Sequence, residues 1–126
     1  MQNVEERRKY QRAFFDLDDH VTGIFSLLNN AGKAISTYIL NIGMGGIYFT
    51  LNSDADLAIK KGDRLVLLQI KASFDLEFLL NIDAEVKWVL NPPMLEHIGV
   101  GCEFVNIPES SLDKIKSFVD SWNLKS

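Results

Sequence analysis

The sequence predicts an all-β fold, a small antiparallel barrel accompanied by one C-terminal helix. Three observations predict it: short apolar runs rich in β-branched and aromatic residues, turn residues between those runs, and a helical apolar spacing at the end of the chain. A chain of 126 residues has the length of a single domain. We find no internal repeat and no low-complexity segment, so we expect no domain boundary.

The strand candidates follow a charged N-terminal segment and are separated by turns containing Asn, Asp and Gly. The run at 76–90 is too long for a typical strand, so we expect a turn near Asn81 or a strong bend. From Ala84 to Trp88 apolar and charged residues alternate, the period of a strand with one buried face. The runs supply about six strands in total and lie at 13–17, 21–28, 34–40, 47–51, 64–70, 76–90 and 98–105.

The end of the chain has the spacing of a helix instead. Apolar residues recur there three and four positions apart, which gives one apolar stripe that can pack against the barrel. We expect this helix over about 109–124. The residues of the stripe are Leu112, Ile115, Phe118, Val119 and Trp122.

Charge and composition exclude several classes of protein. The formal net charge of −4 argues against a surface that coats DNA or RNA, and single-stranded nucleic-acid binding is the weakest alternative. No apolar run approaches the roughly 18 residues of a membrane span, and the polar start is no secretory signal. One cysteine excludes an internal disulfide, so we expect a cytoplasmic protein without membrane insertion.

Two groups of residues can carry binding chemistry. Arg8-Lys9-Tyr10-Gln11-Arg12, preceded by Arg7, forms a cationic cluster that suits a small anion, because the guanidinium fork donates paired hydrogen bonds to phosphate or guanine. The segment Asn41-Ile42-Gly43-Met44-Gly45-Gly46 is expected to interrupt regular structure and to let a ligand approach the backbone.

Each group also has a structural interpretation that needs no ligand. The cluster is then a solvated chain end, and the glycines only permit positive φ in a tight connection or bulge. The segment is neither a P-loop nor a dinucleotide fingerprint, because the required Lys-Ser/Thr ending and the G-x-G-x-x-G spacing are absent.

Taken together, in this order and at this separation, the two groups resemble the PilZ family. Its signature is R-x-x-x-R followed about thirty residues later by [D/N]-x-S-x-x-G. Arg8 and Arg12 match the first motif, and Asn41 and Gly46 match the ends of the second. The late run at 98–104, where a glycine precedes a phenylalanine by three, resembles a late strand of the family. The resemblance covers the chain from about residue 6 to the terminal helix.

The resemblance implies a six-stranded barrel, residues 8–126 with the helix, that binds cyclic di-GMP on its outer surface. A flexible basic arm, residues 1–12, would carry the first motif and fold over the ligand. Arg8 and Arg12 would hold phosphate and guanine, with Arg7 as a third cation. Binding would change how the barrel meets a partner protein, for example of the motility, exopolysaccharide or pilus machinery. The alternative is a degenerate adaptor of the same fold that binds no nucleotide.

The resemblance also assigns roles within the second motif. Asn41 would contact the guanine, and Gly46 would permit the geometry of the turn. Gly43 occupies the position of the family's serine, and the lost hydroxyl bond costs about 0.5–1.5 kcal/mol. We therefore expect weaker binding rather than none. Trp88 is a candidate platform for stacking a purine, although packing in the core or on the barrel surface is the simpler interpretation.

The remaining polar residues indicate no catalysis. His20 and His97 are far apart in sequence and have no second ligand at a helical spacing, so we expect no metal site and no cofactor. Cys102 lies within an apolar run and lacks an evident base partner. We therefore predict a binding protein rather than an enzyme, with cyclic di-GMP as its ligand and no nucleic acid polymer as a partner.

Overall fold

The computed structural model describes residues 11–52, 59–73, 76, 78–79, 81–90 and 97–125. The predicted arm residues 1–10, with Arg7 and Arg8, lie outside this part of the chain. In chain order the elements are β1 (Arg12–Phe14), β2 (Thr22–Leu27), β3 (Lys33–Gly43), β4 (Gly46–Asn52), β5 (Arg64–Lys71), β6 (Ile82–Leu90), β7 (His97–Phe104) and α1 (Glu109–Lys125).

Six strands close into an antiparallel barrel, which confirms the predicted fold. The order β3-β2-β5-β6-β7-β4 returns to β3, because β3 and β4 also pair with each other. The long strand β3 pairs with β2 through its first half and with β1 through its last three residues. β1 is thus a short addition to the barrel, and it places Arg12 beside the end of β3.

The barrel interior is filled by the inward-facing residues of the strands. Phe25 and Phe49 are fully buried, and their stacked rings lie 4.4 Å apart between centroids. Helix α1 packs against β1 and β3 through the predicted stripe, in which Ile115 and Val119 are buried. Truncating a fully buried side chain such as Ile115 to alanine costs about 2–5 kcal/mol, so this helix belongs to the core.

Two local predictions have different outcomes. The turn near Asn81 is confirmed, because Asn81 adopts the left-handed conformation, with φ 55, immediately before β6 begins. The predicted interruption at 41–46 is wrong over most of its length. β3 continues through Gly43 and β4 begins at Gly46, so only Met44 and Gly45 lie outside the strands.

No helix in the described ranges is long and apolar enough to cross a membrane.

Candidate functional site

The described motif residues meet on the outer surface of the barrel where β1, β3 and β4 adjoin. Arg12 Nε donates a hydrogen bond to Asn41 Oδ1 at 2.5 Å, and Arg12 Nη2 donates to the Gly46 carbonyl at 3.1 Å. These contacts join residues 29 and 34 positions apart in sequence. The arginine motif and the glycine-rich segment, taken as a pair from the sequence, are therefore in direct contact through Arg12.

A β-bulge in β3 turns Asn41 toward this surface. Ile39 pairs with Phe49, but the next pairing is Asn41 with Tyr48, so β3 contains one extra residue. In a regular strand Asn41 would share the inward face of Ile39. The extra residue reverses the alternation, so that Ile42 enters the core and Asn41 faces outward, as bulges beside binding sites commonly do. Asn41 is nevertheless 8% exposed, and Arg12 contacts its amide oxygen.

Close backbone approach, rather than turn conformation, explains Gly43 and Gly46. Neither residue has a positive φ, so the expectation that Gly46 permits the turn geometry is wrong. A Cβ on Gly46 would lie 2.0 Å from the Cys102 carbonyl oxygen on β7. A Cβ on Gly43 would lie 2.8 Å from the Gln11 carbonyl oxygen and 3.2 Å from Arg12 Cγ. Gly43 therefore lets β1 lie directly against β3.

An aromatic pair continues the site across the barrel surface. Tyr48 lies opposite Asn41 on one side and opposite Gly101 on the other, and Gly101 lies opposite Trp88. The rings of Tyr48 and Trp88 are 4.8 Å apart between centroids with an interplanar angle of 35°. Trp88 is 43% exposed, so part of its ring faces solvent.

The position of Trp88 depends on a second bulge and on a glycine. The register of β6 against β7 shifts between Val86 and Trp88, so Trp88 does not share the buried face of Val86, as continued alternation would require. A Cβ on Gly101 would lie 2.2 Å from Trp88 Cε2, so the ring occupies the space that any other residue at 101 would need. Trp88 thus packs on the barrel surface, one of the two interpretations that the sequence left open.

Ion pairs border the site on β5, β6 and β7. Lys87 Nζ lies 3.1 Å from Glu85 Oε2 and 3.7 Å from Glu103 Oε1, and Arg64 lies 3.3 Å from Glu85. The hydrogen bond and charge of Lys87 lower the pKa of Glu85, and Glu85 correspondingly raises the pKa of Lys87. Carboxylates offset the cations on this border, so positive charge for a bound anion comes from the β1 side.

Sequence reasoning missed Tyr48 and two residues of α1. Gly99-Val100-Gly101 inside an apolar strand was the available signal for Tyr48, because glycines in a strand mark close approach by another group. Trp122, assigned to packing alone, also donates a hydrogen bond from Nε1 to the Phe14 carbonyl at 3.0 Å. Asn123 Nδ2 donates to the Arg12 carbonyl at 3.3 Å.

The other titratable candidates form no reactive group. Within the described ranges no three His, Cys, Asp or Glu side chains come together as metal ligands. Cys102 is buried, and desolvation raises the pKa of its thiol to about 12. A thiol with so high a pKa is a poor nucleophile near neutral pH.

Comparison with known proteins places this geometry in a family. A family model described as the PilZ domain matches residues 6–121. The flagellar brake protein YcgR of Nitrosomonas eutropha is 27% identical over 120 residues, which cover 90% of this chain and 45% of the relative.

Solved structures share the fold. The inhibitor of motility MotI/DgrA of Bacillus subtilis superposes with a TM-score of 0.71 at 20% identity, over 100% of this chain and 54% of that one. The PilZ domain of Escherichia coli YcgR with c-di-GMP gives 0.67 at 15% identity, over 94% of this chain and 93% of that one. The chain thus spans about half the length of YcgR from N. eutropha and of MotI/DgrA.

Proposed function

The chain belongs to the PilZ family, and from that premise we propose that it is a cyclic di-GMP receptor that signals through a partner protein. The contact of Arg12 with Asn41 and Gly46 carries the proposal, because it joins the described parts of both motifs at one place on the surface. A solved PilZ domain of the same fold is a complex with this nucleotide. The function proposed is binding, not catalysis.

The contacts suggest how the site would hold the nucleotide. Two hydrogen bonds fix the plane of the Arg12 guanidinium against β3 and β4. A guanidinium held in one plane can donate paired bonds to a phosphate or to guanine O6 and N7. Because Asn41 Oδ1 already accepts from Arg12, Asn41 would offer its amide N–H groups to guanine acceptors. Arg7 and Arg8 would add cations from the arm.

The aromatic pair would supply a second kind of contact. We assign to Trp88, supported by Tyr48, the stacking of one guanine, because its ring is partly exposed in the row that contains Asn41. Base–aromatic stacking contributes about 1–3 kcal/mol per base. Gly43 and Gly46 would form the floor of the site, where the absence of side chains leaves the backbone accessible.

Binding would order the arm and thereby change the surface that a partner protein meets. The names of two relatives, a flagellar brake and an inhibitor of motility, make motility machinery the first partner to examine. One observation favours the alternative, an adaptor that binds no nucleotide: Gly43 stands where the family has serine, so one hydroxyl contact is missing.

Calorimetric titration with cyclic di-GMP separates the two functions. We expect saturable binding to the wild-type chain and an affinity weaker by roughly tenfold to 150-fold in Arg12→Ala, the loss of a charged hydrogen bond. Arg64→Ala is the matched control, because Arg64 is an arginine on β5 that pairs with Glu85 and contacts no motif residue among the hydrogen bonds and ion pairs described here. Absence of binding near millimolar ligand, or equal affinity in Arg12→Ala, would leave the adaptor.

A further inference from the structure

Strand β1 is held from two sides, by β3 and by the last turns of α1. It has three residues, and within the described chain β1 forms strand pairs with β3 alone. In an antiparallel pair, alternate residues direct their carbonyls away from the neighbouring strand. The Arg12 and Phe14 carbonyls accept from Asn123 Nδ2 and Trp122 Nε1 instead, at 3.3 and 3.0 Å.

Ring packing anchors these two donors. The Trp122 ring lies 5.1 Å from the Phe15 ring, edge to face at 78°, and 5.8 Å from the Phe118 ring one turn earlier in the helix. Phe15 is buried, and Ile115 and Val119 fix the preceding turns of α1 in the core. The end of α1 is therefore a rigid support for β1, the strand that carries Arg12.

From these contacts we infer that Trp122 and Asn123 are positioning residues for ligand binding. They act through Arg12, whose backbone Asn123 contacts and whose side chain reaches Asn41 and Gly46. This inference rests on the proposed function.

The physical reason is that a three-residue strand has few hydrogen bonds of its own, so its position depends on both supports. Removing the α1 donors lowers the fraction of molecules with β1 in place, and apparent affinity falls in proportion to that fraction. By linkage, ligand at Arg12 must in turn stabilise the docking of the end of α1.

The test combines affinity with a direct view of the Trp122 indole. The variants Trp122→Phe and Asn123→Ala each remove one donor, and Trp122→Phe keeps an aromatic ring against Phe15. Leu124→Ala is the matched control, since Leu124 lies next to Asn123 but is 87% exposed. We expect cyclic di-GMP affinity to fall roughly three- to tenfold for each lost hydrogen bond and to stay unchanged in the control.

The chain has two tryptophans, so its 15N-labelled form gives two indole N–H signals, and Trp122→Phe identifies the one from α1. Titration with cyclic di-GMP should shift the Trp122 signal with the same Kd as calorimetry, and the shift should weaken in parallel with affinity in Arg12→Ala. A purely structural helix would show lower Tm in the variants but no ligand-dependent shift.

The outcomes distinguish the two proposals. If the wild-type chain binds, but both donor variants keep its Kd and the Trp122 signal does not move, the positioning role is refuted and the receptor stands. If the wild-type chain gives no binding heat, the receptor is refuted, and the positioning role with it.

Discussion

Restoring the family's serine at Gly43 should not improve binding. The hydroxyl alone predicts that Gly43→Ser strengthens cyclic di-GMP affinity by the value of one hydrogen bond, about 0.5–1.5 kcal/mol. The structure adds a steric cost to any side chain at this position. A Cβ there would lie 2.8 Å from the Gln11 carbonyl oxygen, a backbone atom, and 3.2 Å from Arg12 Cγ. β1 must therefore move outward, which takes Arg12 away from Asn41 and Gly46.

Gly43→Ala isolates this steric cost. Overpacking costs about 1–3 kcal/mol, and the reduced freedom of the unfolded chain returns about 0.4–1 kcal/mol. We expect a net loss of about 1–2 kcal/mol and a Tm lower by about 3–10 °C. Affinity should fall roughly tenfold, as expected when a charged hydrogen bond is weakened.

Comparison of the two variants then isolates the hydroxyl. Gly43→Ser should bind cyclic di-GMP about two- to tenfold more tightly than Gly43→Ala and no more tightly than the wild-type chain. Thermal unfolding and calorimetry of the three proteins measure both terms. If Gly43→Ser bound tenfold more tightly than wild type with an unchanged Tm, the space between β1 and β3 would be larger than described, and the reasoning would be refuted.

Two further predictions concern the outer surface and the core. Gly101→Ala should cost about 1–3 kcal/mol in urea unfolding, because its Cβ meets the Trp88 ring, and most of that cost should vanish in a Trp88→Ala background; an equal cost in both backgrounds would contradict the contact. Burial raises the pKa of the Cys102 thiol from 9.0 to about 12, so the folded state holds the proton more tightly and the stability this provides is present below pH 9 and lost between pH 9 and 12. At pH 8 the folded chain should react with a thiol reagent far more slowly than the chain in urea, and equal rates would show that Cys102 is accessible.

The barrel and its helix could be predicted from the sequence because their signals are local. A period of two with turn residues at short intervals indicates strands, and the stripe that includes Ile115 and Val119 indicates a packed helix. The observed helix, Glu109–Lys125, differs from the predicted one by a single residue at its end. The association of Arg12 with Asn41 and Gly46 was also accessible, because the order and spacing of the two motifs resemble a known family.

The orientation of individual side chains was not accessible. A single extra residue in a strand reverses which face every later side chain occupies, and the sequence carries no mark of where that residue is inserted. Alternation therefore assigned Trp88 to the face of Val86, and it gave no reason for Asn41 to point outward. The hydrogen bonds from Trp122 and Asn123 to β1 were equally hidden, since they join residues more than a hundred positions apart.

The account depends on Arg12 and Asn41 acting as one unit toward the nucleotide. A double-mutant cycle of Arg12→Ala and Asn41→Ala, measured by calorimetric titration with cyclic di-GMP, tests this directly. Each single change should weaken binding, and the double variant should bind only slightly less tightly than the weaker single variant, with a coupling of about 1–3 kcal/mol. Losses that add independently, or a nucleotide affinity that neither change alters, would contradict it.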